Sequence, residues 1–156
     1  MSAIYDRFVG GQMSNEEMAR FLAEDIWKRR VGPAEAELLV RLVEHPGLTP
    51  DSTVGAERWS LAIMGDRLRN GEVTPQARPV LEDAIERALA SPVWRLRRVA
   101  MAVAIEADLH VKRPSVNARI RSMTTDPVPE VSEIAKLHIR RHLDPPGPGS
   151  STGGQP

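Results

Sequence analysis

The sequence predicts an all-α fold of about seven helices, and three observations support this expectation. Apolar residues recur at helical spacing in each segment between turn signals. Residues that commonly begin or end helices separate these segments at short intervals. Aromatic residues make up only 4% of the chain. Ala, Leu, Ile and Val must therefore supply most of the core, which favours close-packed helices over a sheet.

Local sequence signals predict where the first three helices begin and end. Residues 2–9 are predicted to form a short leading helix. Ser14 and Glu17 have the spacing of a capping box, in which each residue satisfies a backbone N–H of the other. The helix that they begin is expected to stop at Gly32, and Pro33 is expected to begin the next.

The remaining helices follow from the same signals. Ser91-Pro92 and Asp126-Pro127 each combine a capping residue with a proline that suits the first helical position. A loop is expected at 46–54. We expect helices at about 55–70, 74–90, 92–108, 114–123 and 127–143. The chain is predicted to be one helical domain over 1–143, followed by a disordered Pro/Gly/Ser tail at 144–156.

An internal repeat is the most informative pattern in the chain. A shift of 35 residues places Ser91-Pro-Val on Asp126-Pro-Val and aligns the apolar positions of the helices that follow. The same shift aligns three small residues, Gly65, Ala100 and Ala135. A small side chain at this position would let a neighbouring helix approach closely. We therefore expect stacked helix pairs.

The repeated segments resemble the second helix of HEAT repeats. The pattern is Ser91-Pro-Val-x-x-Leu-Arg-x-Val-Ala100, followed by Asp126-Pro-Val-x-x-Val-Ser-x-Ile-Ala135. The resemblance covers about 74–143 well and 33–73 weakly. It implies a right-handed α-solenoid, a HEAT-like helical-repeat array with pairs at about 33–70, 74–108 and 113–143. Helix pairs of another superhelical family are the alternative.

The resemblance also implies an ion pair between repeats. In HEAT proteins the Arg after the apolar position often bonds the Asp of the next repeat, so Arg97 is expected to bond Asp126. The chain departs from the pattern, because Ser132 replaces the last Arg, and Ala56 and Ser91 replace Asp in the first two repeats. A continuous ladder of such pairs is therefore excluded.

The helix at 92–108 is apolar on nearly all sides, so we expect it to lie centrally with neighbours on both sides. Arg95, Arg97 and Arg98 fall near its N-terminus, where the helix dipole disfavours cations. These side chains are expected to need a carboxylate or another anion nearby.

Several classes of chemistry find no support in the sequence. The chain has no cysteine, which excludes disulfides, zinc-thiolate sites and thiol catalysis. Phosphate-loop and nucleophile-elbow motifs are absent. The carboxylate clusters are interpreted as solvated helix faces. His138 and His142 share a helix face and, with His110, are conceivable metal ligands, but Arg140 and Arg141 oppose a cation. We expect no catalytic activity, no metal and no cofactor.

The chain carries no apolar run long enough to span a membrane. Its first residues lack the charged and apolar regions of a signal peptide. We therefore expect a cytoplasmic protein with no membrane association.

The charge distribution indicates one candidate surface. Residues 1–90 contain 11 Lys/Arg and 15 Asp/Glu, whereas residues 91–143 contain 10 and 5. Arg outnumbers Lys 18 to 3 in the whole chain, however, which is also typical of a compositional bias. The candidate binding residues on this basic surface are Arg95, Arg98, Lys112, Arg113, Arg119, Arg121, Lys136 and Arg140.

Stacked helix pairs form extended surfaces that commonly hold another protein or peptide. The leading hypothesis is therefore a non-enzymatic protein–protein interaction module: an adaptor, an inhibitor or an immunity-type binding protein. The alternative is a nucleic-acid-binding helical-repeat protein that uses the basic face of residues 91–143. A third hypothesis is an enzyme or a regulatory ligand-binder with a site that the sequence does not reveal.

Overall fold

The computed structural model describes residues 1–45 and 55–146, and it confirms the all-α fold. The expected loop at 46–54 and the tail beyond residue 146 lie outside the described residues. The prediction of about seven helices was wrong, because the described part of the chain contains nine. They are α1 (Ser2–Val9), α2 (Asn15–Glu24), α3 (Pro33–Glu44), α4 (Ala56–Arg69), α5 (Arg78–Ala88), α6 (Trp94–Glu106), α7 (Leu109–Lys112), α8 (Pro114–Ser122) and α9 (Pro129–His138).

The capping box before α2 forms as predicted. The backbone N–H of Glu17 donates to Ser14 Oγ over 3.0 Å, and the N–H of Ser14 donates to Glu17 Oε1 over 3.3 Å. The helix is shorter than expected, because it ends at Glu24 and only a 3-10 turn, Ile26–Lys28, follows it.

Three helices begin later than the sequence suggested. The predicted start of α5 near residue 75 was wrong, since this helix begins at Arg78. Ser91 and Asp126 do not cap α6 and α9 directly. Each side chain instead accepts the backbone N–H two residues later, at 3.1 and 3.0 Å respectively, and so stabilises a turn that precedes the helix.

The helices pack in a regular order along the chain. Each of α3, α5 and α8 contacts the helix that follows it, which is α4, α6 and α9 respectively. Contacts also join α2 to α4, α4 to α6 and α6 to α9, while α1 contacts α3 and α3 contacts α5. Helix α6 thus has neighbours on several sides, as its apolar composition predicted.

Close approach of α4 and α6 depends on a small residue. Gly65, Ala100 and Ala135, the three small positions of the repeat, are all buried. A Cβ atom added to Gly65 would lie 2.9 Å from Val103 Cγ1. Since real Cβ atoms do not approach carbon that closely, Gly65 allows α6 to lie nearer to α4 than a larger residue would.

The expected ion pair of Arg97 with Asp126 is confirmed. Arg97 Nε and Nη2 donate to the two carboxylate oxygens of Asp126, both over 2.9 Å, and Arg97 Nη1 donates to the carbonyl of Ser91 over 2.8 Å. The two side chains are 12% and 7% exposed. The bond to Arg97 and that to the Val128 N–H hold the pKa of Asp126 below its usual value, although burial opposes this.

Candidate functional site

Four of the eight basic residues proposed from the sequence form hydrogen bonds or ion pairs with groups outside the groove described below. Arg121 forms a bidentate pair with Asp144, with both N–O distances 2.8 Å. Lys136 pairs with Glu133 over 3.0 Å. Arg119 donates to the carbonyl oxygen of Leu89. The fourth such residue is Arg113.

Arg113 is the most strongly paired of the eight. It lies beside three carboxylates of α5, at 3.6 Å from Glu82, 2.7 Å from Asp83 and 3.2 Å from Glu86. Burial alone would lower the pKa of Arg113, but the hydrogen bonds to Asp83 and Glu86 raise it above its usual value. The acidic first part of the chain therefore neutralises part of the basic last part.

Arg95 and Arg98 occupy a different place from these four. Both line an open groove of about 490 Å³ between α4, α6 and α9. Lys112 ends α7, and Arg140 belongs to the π-helical turn Ile139–Leu143; both are exposed, and neither lines the groove. The groove thus contains two of the eight predicted residues.

The floor of the groove is apolar, and α6 supplies most of it. Residues spaced four apart on an α-helix share a face, which brings Trp94, Arg98 and Ala102 into line. Val99 and Val103 lie beside them. Ile134 of α9 closes one side. Trp94, Val99 and Ile134 are half-buried and Ala102 is exposed, so the groove presents apolar surface to its contents.

Positively charged or ionisable groups accompany this apolar floor. Arg58 from α4 joins Arg95 and Arg98, and the guanidinium of Arg95 lies 4.9 Å from the centroid of the Trp94 ring. Such stacking holds the arginine over the face of the aromatic ring. None of the described residues that line the groove is acidic.

His138 completes the lining on the α9 side. Burial, followed by repulsion from His142 and Arg141, lowers the pKa of His138 below its usual value. Its imidazole is therefore uncharged at neutral pH and offers one donor and one acceptor nitrogen. The rings of His138 and His142 lie 5.8 Å apart. Within residues 1–45 and 55–146, no three His, Asp or Glu side chains are grouped in a way that would hold a metal ion.

Asp66 of α4 and Glu106 of α6 form another pair of interacting ionisable groups. Burial and the charge of Asp66 raise the pKa of Glu106. Burial also acts to raise the pKa of Asp66, but bonds to Arg67, Trp27 and Asn70 lower it. Carboxylates with divergent pKa values are typical of acid–base chemistry. Here, however, Asp66 accepts the Trp27 Nε1–H over 2.7 Å, and neither carboxylate lines the groove.

Sequence reasoning missed the contributions of α4 and α9 to the groove. Arg58 belongs to no local motif and Ile134 belongs only to the repeated helix pattern, so only the packing of three helices brings both residues to α6. The available signal was the excess of apolar residues around α6, which predicted neighbours but did not predict a face left open to solvent.

No helix in the described residues is long and apolar enough to cross a bilayer.

Comparisons with known proteins identify no relative of this chain. The chain matches no protein-family model, and no curated protein or solved structure is significantly similar to it.

Proposed function

We propose that this protein is a non-enzymatic protein-binding module, built as a right-handed HEAT-like array, that holds a segment of another protein in the groove between α4, α6 and α9. The observation that carries the proposal is the groove itself, in which a half-buried apolar floor is bordered by cationic side chains.

The order of helix contacts supports the stacked-pair architecture. Helices α2, α4, α6 and α9 contact one another in series, and each later member also contacts the helix that precedes it. Equivalent turns with a side-chain acceptor precede α6 and α9, and the pair of Arg97 with Asp126 joins one repeat to the next. In such arrays, the row of second helices forms a continuous surface for a partner.

The nature of the groove supports a protein segment as its occupant. Binding clefts in proteins commonly have volumes of about 300–1,000 Å³ and a mostly apolar lining, and this groove of about 490 Å³ has both properties. A helix or strand laid in this groove would cover Trp94, Val99, Ala102 and Ile134 together. Helix-in-groove binding uses apolar floors of this kind.

The nucleic-acid alternative receives less support. Arg113, Arg121 and Lys136 lie against carboxylates, which cancels much of the charge that a phosphate backbone would need. Trp94 is the one Trp, Tyr or Phe among the described groove residues, and Arg95 stacks on it. A nucleic-acid partner is therefore retained as an outcome of the experiment.

Site-directed photo-crosslinking in the native cell tests this function. A benzophenone amino acid replaces Ala102, which is exposed in the groove, or Val111, which is 73% exposed on α7 outside it. We expect a nuclease-resistant protein adduct from position 102 and none from position 111. The crosslinked segment, mapped by mass spectrometry and made as a peptide, should bind the purified protein. Equal adducts at both positions, or an adduct that nuclease removes, would contradict the proposal.

A further inference from the structure

We infer that the occupant of the groove is an acidic amphipathic segment, with at least one Asp or Glu placed beside a large apolar side chain. This inference rests on the proposed function and deepens it, because it assigns the chemistry of the partner.

Arg98 provides the main evidence. Three other arginines of the basic region, Arg97, Arg113 and Arg121, each bond at least one carboxylate of the chain. Arg98 is exposed and has neither a hydrogen bond nor an ion pair with any residue that the structure describes. It is therefore the groove arginine whose expected anion is not supplied by the described chain.

The surroundings of Arg98 reinforce its preference for an anion. Arg58 and Arg95 add positive charge to the same groove, although both also interact within the chain. Arg95 and Arg98 fall within the first turn and a half of α6, where the aligned peptide dipoles add positive potential. An incoming carboxylate would relieve the repulsion among these positive charges, and the planar guanidinium of Arg98 can hold the carboxylate through two parallel hydrogen bonds.

The floor determines what must accompany the carboxylate. Val99, Ala102, Val103 and Ile134 form a largely aliphatic strip beside Arg98. Small inorganic anions would leave this strip exposed, and a phosphate backbone would place charge against it. A segment that combines a carboxylate with Leu, Ile, Met or Phe would satisfy both parts of the groove.

Selection from a random peptide display library tests the inference even while the natural partner is unidentified. Peptides are first selected for binding to the wild-type protein. Those that also bind the Ala102→Trp variant are then discarded, because Trp at this exposed position fills the groove and the remaining sites are unchanged. We expect the selected peptides to be enriched in Asp or Glu next to large apolar residues. Enrichment of neutral or basic peptides that still depend on Ala102 would overturn the inference and leave the proposed function standing.

The selected peptides then measure the role of Arg98. Fluorescence anisotropy of a labelled peptide should give a Kd about tenfold or more higher for Arg98→Gln, as expected for lost hydrogen bonds to a charged group. Arg98→Lys should recover part of the affinity. Arg140→Gln removes the same charge from an exposed residue outside the groove and should change Kd less than about twofold.

Other outcomes separate the two proposals. Equal losses in Arg98→Gln and Arg140→Gln would show a general charge effect and overturn the inference. Tighter binding of a labelled 20-nucleotide single-stranded DNA than of any selected peptide, abolished by Ala102→Trp, would overturn both. If no selected peptide depends on Ala102 and crosslinking at this position captures nothing, the groove is not a protein-binding site.

Discussion

The pair of Arg97 with Asp126 is predicted to be a major determinant of stability. In Asp126→Asn, the side chain keeps its size but loses its charge, which leaves the 12%-exposed Arg97 without a counterion. Breaking a buried ion pair on one side commonly costs about 3–5 kcal/mol. Because some solvent reaches both partners and Asn still offers one acceptor, we expect a loss of about 2–3 kcal/mol in the free energy of unfolding.

A double-mutant cycle measures this interaction directly. Urea denaturation of the wild type, Asp126→Asn, Arg97→Met and the double variant should show that the double variant loses less than the sum of the single losses. The stabilisation that the pair of Arg97 with Asp126 provides also depends on pH. The pKa of Asp126 is lowered from 3.8 in the folded state, so the stabilisation is present above pH 3.8 and is lost as the pH falls through the lower folded value.

Arg121 and Asp144 supply the matched control. Their geometry is equally bidentate, at 2.8 Å, but the side chains are 42% and 61% exposed. Solvent screens such pairs, so Asp144→Asn should leave the unfolding free energy unchanged within error. Equal losses in Asp126→Asn and Asp144→Asn, or no loss in either, would refute the reasoning from burial.

Three further perturbations test the packing and electrostatics of the fold. Gly65→Ala should lower the unfolding free energy by about 1 kcal/mol in urea denaturation, since overpacking outweighs the gain in helix propensity. Val103→Ala should cost less unfolding free energy when it is added to Gly65→Ala than when it is made in the wild type, because it relieves the 2.9 Å contact. Glu106→Gln should raise the Tm at pH 7 but not at pH 4, as followed by circular dichroism. The pKa of Glu106 is raised above 4.5 in the folded state, so the wild type loses stability as the pH rises from 4.5 through the folded value, and Gln avoids this loss. Ser14→Ala removes the capping box and should lower the unfolding free energy by about 1 kcal/mol in urea denaturation; an unchanged unfolding free energy would contradict this.

Much of the helical architecture is predictable from local signals. The capping box at Ser14 and the proline at the start of α3 identify helix ends because the unpaired backbone groups there need specific partners. The resemblance of the repeats even implied the pair of Arg97 with Asp126, which the structure confirms.

The missed details have physical causes. Ser91 and Asp126 accept a backbone N–H within a turn, and this local bond competes with direct capping of the next helix. The short helix α7 follows Asp108, which has a positive φ of 59°. Asp tolerates that conformation better than most residues, but the sequence alone does not reveal where the chain uses it.

The candidate site was less predictable, because it depends on contacts distant in sequence. The excess of positive charge in 91–143 drew attention to Arg95 and Arg98, which line the groove. It gave no sign that Arg113 would lie against the carboxylates of α5, about 30 residues earlier. Charge counts therefore overstated the basic surface, and only the packing of α4 and α9 against α6 identifies the groove.

The most direct test of the groove as a protein-binding site is the affinity of its mapped partner peptide for two matched variants. Ala102→Trp fills the groove, whereas Ala118→Trp places the same side chain on an exposed position of α8 outside it. Isothermal titration calorimetry should detect binding to the wild type and to Ala118→Trp with similar Kd, and at least about tenfold weaker binding to Ala102→Trp. Equal affinity for both variants would contradict the account.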